Sequence, residues 1–156
     1  MKRNAILLMV FLLPLSFWAQ KTDGINWITF EELDLALAKK PKKTLIFFYA
    51  DWCVYCKKIE RSVFTKLEVI TTINKDYYAV RMDVESKDKI YFDGIVFKNA
   101  QAQGQRHGIH ELPLLLASRE GKTFSLPATL ILDREFKIRE RFFEYYTSKQ
   151  LLKMLQ

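Results

Sequence analysis

The chain has 156 residues, is 49% hydrophobic and carries 25 basic against 18 acidic residues, a formal charge of +7. With sparse glycine and proline and no low-complexity stretch, this describes one compact domain that needs no disulfide staple to hold a core. The basic excess is spread over residues 39–43, 57–61 and 134–141 and reads as solvated surface. With no aromatic–glycine signature of an RNA-binding sheet and no cysteine–histidine finger, a nucleic-acid partner is not expected.

The first segment reads as a targeting signal. Lys2 and Arg3 precede an apolar run over residues 5–17, Pro14 breaks that run late, and polar residues resume at Gln20. The run is short of the ~20 residues that span a bilayer. Cleavage is expected after Ala19, leaving residues 20–156 as the folded domain, although Phe17 stands where a small residue would be ideal. An uncleaved membrane anchor is the alternative. No cysteine follows the apolar run, so lipid attachment there is excluded. Either way the folded part is expected outside the cytoplasm, in the periplasm, as a monomer.

Residues 25–30 are short and mixed. Residues 31–40 read as a helix with Leu33 and Leu37 on one face, ended by Pro41. Residues 43–50 form a continuous apolar and aromatic run, the pattern of a strand covered on both faces. Asp51 and Trp52 turn the chain, and residues 53–66 become helical, with Ile59, Val63 and Phe64 on one side; a second helical piece covers 67–74. Residues 78–84 are the next strand, completing a βαβ unit with parallel strands. Residues 90–98 around Asp93-Gly94 read as a small hairpin. A short helix over 110–118 tolerates Pro113 only in its first turn. Strands over 127–133 and 137–145 follow, and an amphipathic helix over 148–155 is capped by Thr147 or Ser148.

The only two cysteines, Cys53 and Cys56, lie where the first strand passes into its helix. A bond between them closes so small a loop that it removes little entropy from the unfolded chain, so chemistry or metal explains the pair better than stability. A disulfide exchanger needs one thiolate that attacks and a second thiol that rescues it. Cys53 stands at the helix start, where unpaired N–H groups and the dipole favour a charged sulfur, and Lys57 and Lys58 add positive charge. It is expected to be the exposed nucleophile with a depressed pKa. Cys56, one turn on, is placed to resolve the mixed disulfide and to be less exposed. Trp52 is expected beside the sulfur as an apolar shield, with Tyr55 crowding the mouth.

A lone Cys-x-x-Cys also binds zinc, and His107 and His110 supply a His-x-x-His with which to draw a Cys2His2 site. The gap between the pairs is far longer than in a finger, so no metal is expected; His110 reads as a helix-start or surface residue and His107 as a loop residue beside Gly108. Pro127 opens an apolar strand. On residues alone a trans proline at a strand edge is favoured, though an X–Pro bond can be cis at modest cost.

The segment Tyr49-Ala50-Asp51-Trp52-Cys53-Val54-Tyr55-Cys56-Lys57 resembles the active-site segment of the C-terminal thioredoxin-like domain of the transmembrane disulfide interchange reductases, and of small exported thioredoxin-family proteins. Phe64 through Leu67-Glu68-Val69 to Ile73-Asn74, the helix start at 108–112, and Pro127 with Thr129 fit the same group. The resemblance covers residues 27–155. It implies an α/β thioredoxin fold: a central mixed sheet flanked by helices, a βαβ unit, then a hairpin and a C-terminal helix. It also implies Cys53 as nucleophile, Cys56 as resolving thiol, Pro127 in cis, and the backbone of Leu126 pairing with a partner's extended chain. Partners would be disulfide-containing or dithiol proteins, with a membrane electron donor if the protein is a reductant. No cofactor is implied beyond the redox-active cysteine pair.

Three departures stand out. Val54-Tyr55 between the cysteines matches neither thioredoxins nor strong oxidants, so the potential is not legible. Phe47 stands where thioredoxins commonly bury an acid. Residues 86–125 form a long insert before the proline strand, expected to be decoration and alternatively a platform for partners. The leading reading is a reductant or general exchanger of disulfides in exported proteins. The alternatives are an oxidant or isomerase, or a binding or scaffold protein holding zinc.

Overall fold

The computed structural model describes residues 24–156; the leader and its cleavage point lie outside the described residues. Trp27–Ile28 (β1) opens the sheet from the stretch read as mixed. Phe30–Lys39 (α1) begins on a capping box: Thr29 Oγ1 accepts from Glu32 N–H at 3.1 Å, and the Glu32 carboxylate accepts from Thr29 N–H at 2.8 Å. Both donors would otherwise be orphaned at the helix start. The helix stops before Pro41, because the residue preceding a proline is pushed out of helical backbone.

Lys43–Tyr49 (β2) buries five consecutive residues, as a strand covered on both faces must. The helix expected over 53–66 is shorter: Val54–Ser62 (α2), with Leu67–Asp76 (α3) starting after a turn. The break falls at Val63 and Phe64, both buried, whose N–H groups both donate to the Ile59 carbonyl, at 2.8 and 3.1 Å, so the regular ladder ends there.

Tyr77–Asp83 (β3) pairs in parallel with both β1 and β2. Ala128–Leu132 (β6) runs antiparallel to β2, and Ile138–Phe142 (β7) closes the sheet antiparallel to β6, giving the order β1-β3-β2-β6-β7. All five residues of β6 are buried, whereas β7 exposes Arg139, Glu140 and Arg141, charges that discourage further strand pairing. Ser148–Met154 (α5), capped by Thr147, packs beside α3, and the Tyr77 hydroxyl ties β3 to the chain end by donating to the Leu155 carbonyl at 2.7 Å.

The insert over 86–125 is folded rather than loose. Ile90–Phe92 (β4) and Ile95–Phe97 (β5) form a hairpin whose turn residues, Asp93 and Gly94, both take positive φ (51° and 70°), as a two-residue turn between twisted strands requires. Phe92 joins the core against Phe30 and Phe136, with ring centroids 5.4 and 5.2 Å away. A single 3-10 turn, Ala100–Gln103, and the helix Glu111–Ala117 (α4) complete it. Pro113 sits in the first turn of α4, where its missing N–H removes no helical bond.

One buried polar atom is out of place: the Thr44 hydroxyl, on fully buried β2, finds no hydrogen-bond partner among the described residues. Leaving such a group unpaired costs about 1–3 kcal/mol. Thr44→Val keeps the shape and removes the hydroxyl, so it is expected to raise stability by about 1 kcal/mol in urea unfolding. A fall in the unfolding midpoint would mean that a bound water satisfies the hydroxyl.

Candidate active site

At the end of β2 the chain turns through residues 50–53, with Cys53 N–H donating to the Ala50 carbonyl at 3.0 Å. Cys53 is the N-cap of α2, and its sulfur accepts from Cys56 N–H at 3.1 Å. The first turn of α2 contains no acidic residue, so no carboxylate of the helix itself offsets its positive end at that sulfur. Cys53 and Cys56 are disulfide-bonded, their Cα atoms 5.2 Å apart.

Burial ranks the two sulfurs as expected but corrects one point. Cys53 is 4% exposed and Cys56 0%, so in the disulfide state Cys53 is not an open thiol. Its sulfur is turned inward onto Cys56, and the exposed surface belongs to the rim, with Trp52 56% exposed and Val54 and Tyr55 also open. Trp52 does not simply lie over the disulfide; its indole N–H donates to Glu85 at 2.6 Å. Tyr55 faces Tyr145, centroids 6.4 Å apart, and Lys58 places its ammonium 4.4 Å above the same Tyr145 ring. Lys57 is exposed on the first turn of α2.

The second half of the site comes from the opposite strand. The Leu126–Pro127 peptide is cis. Phe48 pairs with Ala128, which places Pro127 and Leu126 beyond the same end of β2 that leads to Cys53. Leu126 and Trp52 line one small cleft. Two side chains steady this loop: Arg119 donates to the Ser125 hydroxyl at 2.8 Å, and buried Tyr146 shares a 2.8 Å hydrogen bond with Thr129. Burial pushes the Tyr146 phenol well up, so it stays neutral and keeps that bond.

The two histidines do separate jobs. His110 is not a surface residue: it is fully buried as the N-cap of α4, its Nδ1 accepting from Leu112 N–H at 3.2 Å and its Nε2 donating to the Asp88 carbonyl at 3.1 Å. With both nitrogens engaged, it has no lone pair to offer zinc. His107 is a loop residue, as expected, but its Nδ1 is bonded to Glu85 at 2.7 Å. Glu85 and Tyr145 thus belong to the site although nothing in the sequence pattern singles them out. Phe47, where an acid was looked for, is buried with Phe64 edge-on at 5.0 Å. Asp83, at the end of β3, has its carboxyl raised by burial and by the nearby charges of Asp51 and Glu85, against a hydrogen bond from Glu85 N–H.

A family model described as a thioredoxin-like domain matches residues 30–156. The chain belongs to the thioredoxin-like family. Solved structures of the same fold include an oxidoreductase named DsbH, with TM-score 0.58 and 19% identity over 84% of this chain and 82% of that one. The oxidised C-terminal domain of DsbD from Neisseria meningitidis aligns with TM-score 0.51 and 17% identity, covering 80% and 87%. A thioredoxin from Thermus thermophilus aligns with TM-score 0.59 and 17% identity, covering 85% of each. No curated protein matches the chain by sequence. At these identities the likeness is one of fold.

The buried His110 gives the domain an acid sensitivity of known sign. Burial lowers its pKa below the usual 6.5, against smaller opposing effects from the Asp88 carbonyl and nearby acids. Below that value the unfolded chain binds the proton more readily than the native state, so stability is full above it and is lost as pH falls. His110→Asn can still cap α4 but cannot be protonated. Between about pH 7.5 and about pH 5.5, its urea midpoint is expected to fall less than that of the wild type. Equal falls would show that other groups set the acid response.

Proposed function

We propose that this thioredoxin-like domain is a thiol–disulfide oxidoreductase that reduces or exchanges disulfides in exported proteins. In its reduced form the Cys53 thiolate attacks one sulfur of a partner disulfide, forming a mixed disulfide and releasing the partner's other sulfur as a thiolate. Cys56, losing its proton to solvent, then attacks the Cys53 sulfur. The S–S bond to the partner breaks, the partner leaves as a dithiol, and two electrons have passed from the cysteine pair to it. The protein is left with the Cys53–Cys56 disulfide. A dithiol donor must reduce that bond again, and for a reductant outside the cytoplasm this is a membrane protein supplying electrons from within.

The observation that carries this reading is the Cys53–Cys56 bond at the N-terminus of α2, at the same end of the sheet as the Leu126–Pro127 loop. The exposed rim of Trp52, Val54 and Tyr55 suits a partner that lays an extended chain across the disulfide. Leu126 offers backbone for that chain to pair with, a mode that reads main chain more than sequence. Residues 1–19 are proposed to be a signal peptide, the domain to act as a periplasmic monomer, and the cysteine pair to need no metal or cofactor. Lys57 adds positive charge near Cys53.

Two variants test the division of roles. Cys53→Ser is expected to abolish disulfide exchange, whereas Cys56→Ser accumulates mixed disulfides visible on non-reducing gels. An adduct-free Cys56→Ser protein, given a reducible partner, overturns the assignment. Direction follows from equilibration with dithiothreitol or glutathione. A potential near about −270 mV fits a reductant, whereas a value near about −120 mV makes the protein an oxidant.

A further inference from the structure

Trp52 is more than half exposed, yet it is not free to turn. Its indole N–H donates to Glu85 Oε1 at 2.6 Å, and the same oxygen takes the Nδ1–H of His107 at 2.7 Å. A carboxylate oxygen only accepts, so Nδ1 is the protonated nitrogen of that ring. The His107 ring also meets the indole edge-on, centroids 5.8 Å apart, and the three side chains close on one another. Glu85 follows β3, while His107 comes from the insert.

The insert holds His107 with unusual care. Gly108 lies so close to the 3-10 turn that an added Cβ would stand 2.6 Å from the backbone of Gln101 and Ala102. The buried Asn99 amide donates to the carbonyls of Gly108 and Ser86, at 2.7 and 3.1 Å, and accepts from Ala102 N–H. Ile109 N–H donates to the Gln101 side chain, and His110 N–H to the Val84 carbonyl. A loop that only joined two elements would have no use for so many ties.

Between this braced indole and the proline loop lies a cleft of about 70 Å³, bounded by Trp52, Glu85, His107, Ile109, Phe124 and Leu126. That is about half the ~150 Å³ of a cavity that takes a benzene ring, so it suits a small aliphatic side chain better than an aromatic one. Its inner wall is apolar, and it runs beside Leu126. We infer that this cleft is a side-chain subsite for the partner chain, selecting a small aliphatic residue next to the reacting cysteine. His107, acting through Glu85, is the positioning residue that holds Trp52 as its wall. The inference rests on the oxidoreductase reading and names the substrate class of that site; it also makes the insert part of the site rather than decoration.

The test uses two short peptides, each with one cysteine and oxidised to its disulfide dimer, carrying Ala or Trp directly before the cysteine. With dithiothreitol as electron source, the wild type is expected to favour the Ala peptide by at least about tenfold in kcat/KM, the scale of a pocket that rejects excess bulk. His107→Ala, Glu85→Leu and Gly108→Ala should each bring the ratio to within about twofold, while Glu85→Gln, which still offers an oxygen to the indole, keeps it. In a Trp27→Phe background Trp52 is the sole indole of residues 20–156. Acrylamide quenching of its fluorescence should then rise on His107→Ala in folded protein. An unchanged peptide ratio and unchanged quenching in His107→Ala overturn the inference. So does a wild type that reduces both peptides equally, which leaves the oxidoreductase reading intact. A wild type that reduces neither ends that reading and this inference together.

Discussion

Everything at the site hangs on one junction, where a fully buried strand stops and the next backbone donors are those of a helix start. The five buried residues of β2 fix the position of the strand end inside the sheet, with no freedom to slide. Cys53 caps the helix that follows, and the Cys56 N–H that points at its sulfur is one of the donors any helix must leave unpaired. The sulfur therefore occupies a place the fold makes electropositive without a dedicated cation. Lys57 and Lys58 are additions to that field, and Lys58 is engaged with the Tyr145 ring.

The sheet and the insert divide the remaining work. β2 and β6, paired antiparallel, bring the cysteine turn and the proline loop to one end of the sheet, a matter of register alone. Nothing in that register determines how wide the gap between them is or what shape a partner meets. On the proposed reading that is left to residues 85–110, which bring Glu85 and His107 to Trp52. The insert is anchored from below by Phe92 in the core and by buried His110 capping α4. His107, carried on it, meets Trp52 edge-on and is bonded to Glu85.

The elements that were legible in the sequence are those written by local chemistry. The Asp93-Gly94 turn, the Thr147 cap and the unbroken apolar run of β2 each carry their cause within a few residues. The pairing of Cys53 with Cys56 was legible because the chain has no other thiol. The break between α2 and α3 was not, because residues 62–66 carry no proline or glycine to stop a helix. Glu85 was illegible for a deeper reason: an exposed-looking acid after a strand becomes a site residue only when residues 33 and 22 positions away come to it. His110 was legible as a helix-start residue but not as a buried one, since a capping histidine looks solvent-facing until the insert folds over it.

The replacement of a buried acid by Phe47 bears on how the two sulfurs could share the reaction. Cys56 is fully buried, and Phe47 and Phe64 pack edge-on in the same core. An apolar interior penalises a charged sulfur, whereas the helix start compensates one at Cys53. In the proposed exchange, that asymmetry keeps the two thiols from competing for the first attack. It also means that the proton of Cys56 must leave along a route other than a carboxyl at position 47. Attack on a partner bound across the rim opens such a route, because Cys53 must swing its sulfur outward to form the mixed disulfide. In that state the space its sulfur held beside Cys56 is released to solvent or to the partner. In the proposed reaction the resolving step is thereby tied to partner engagement.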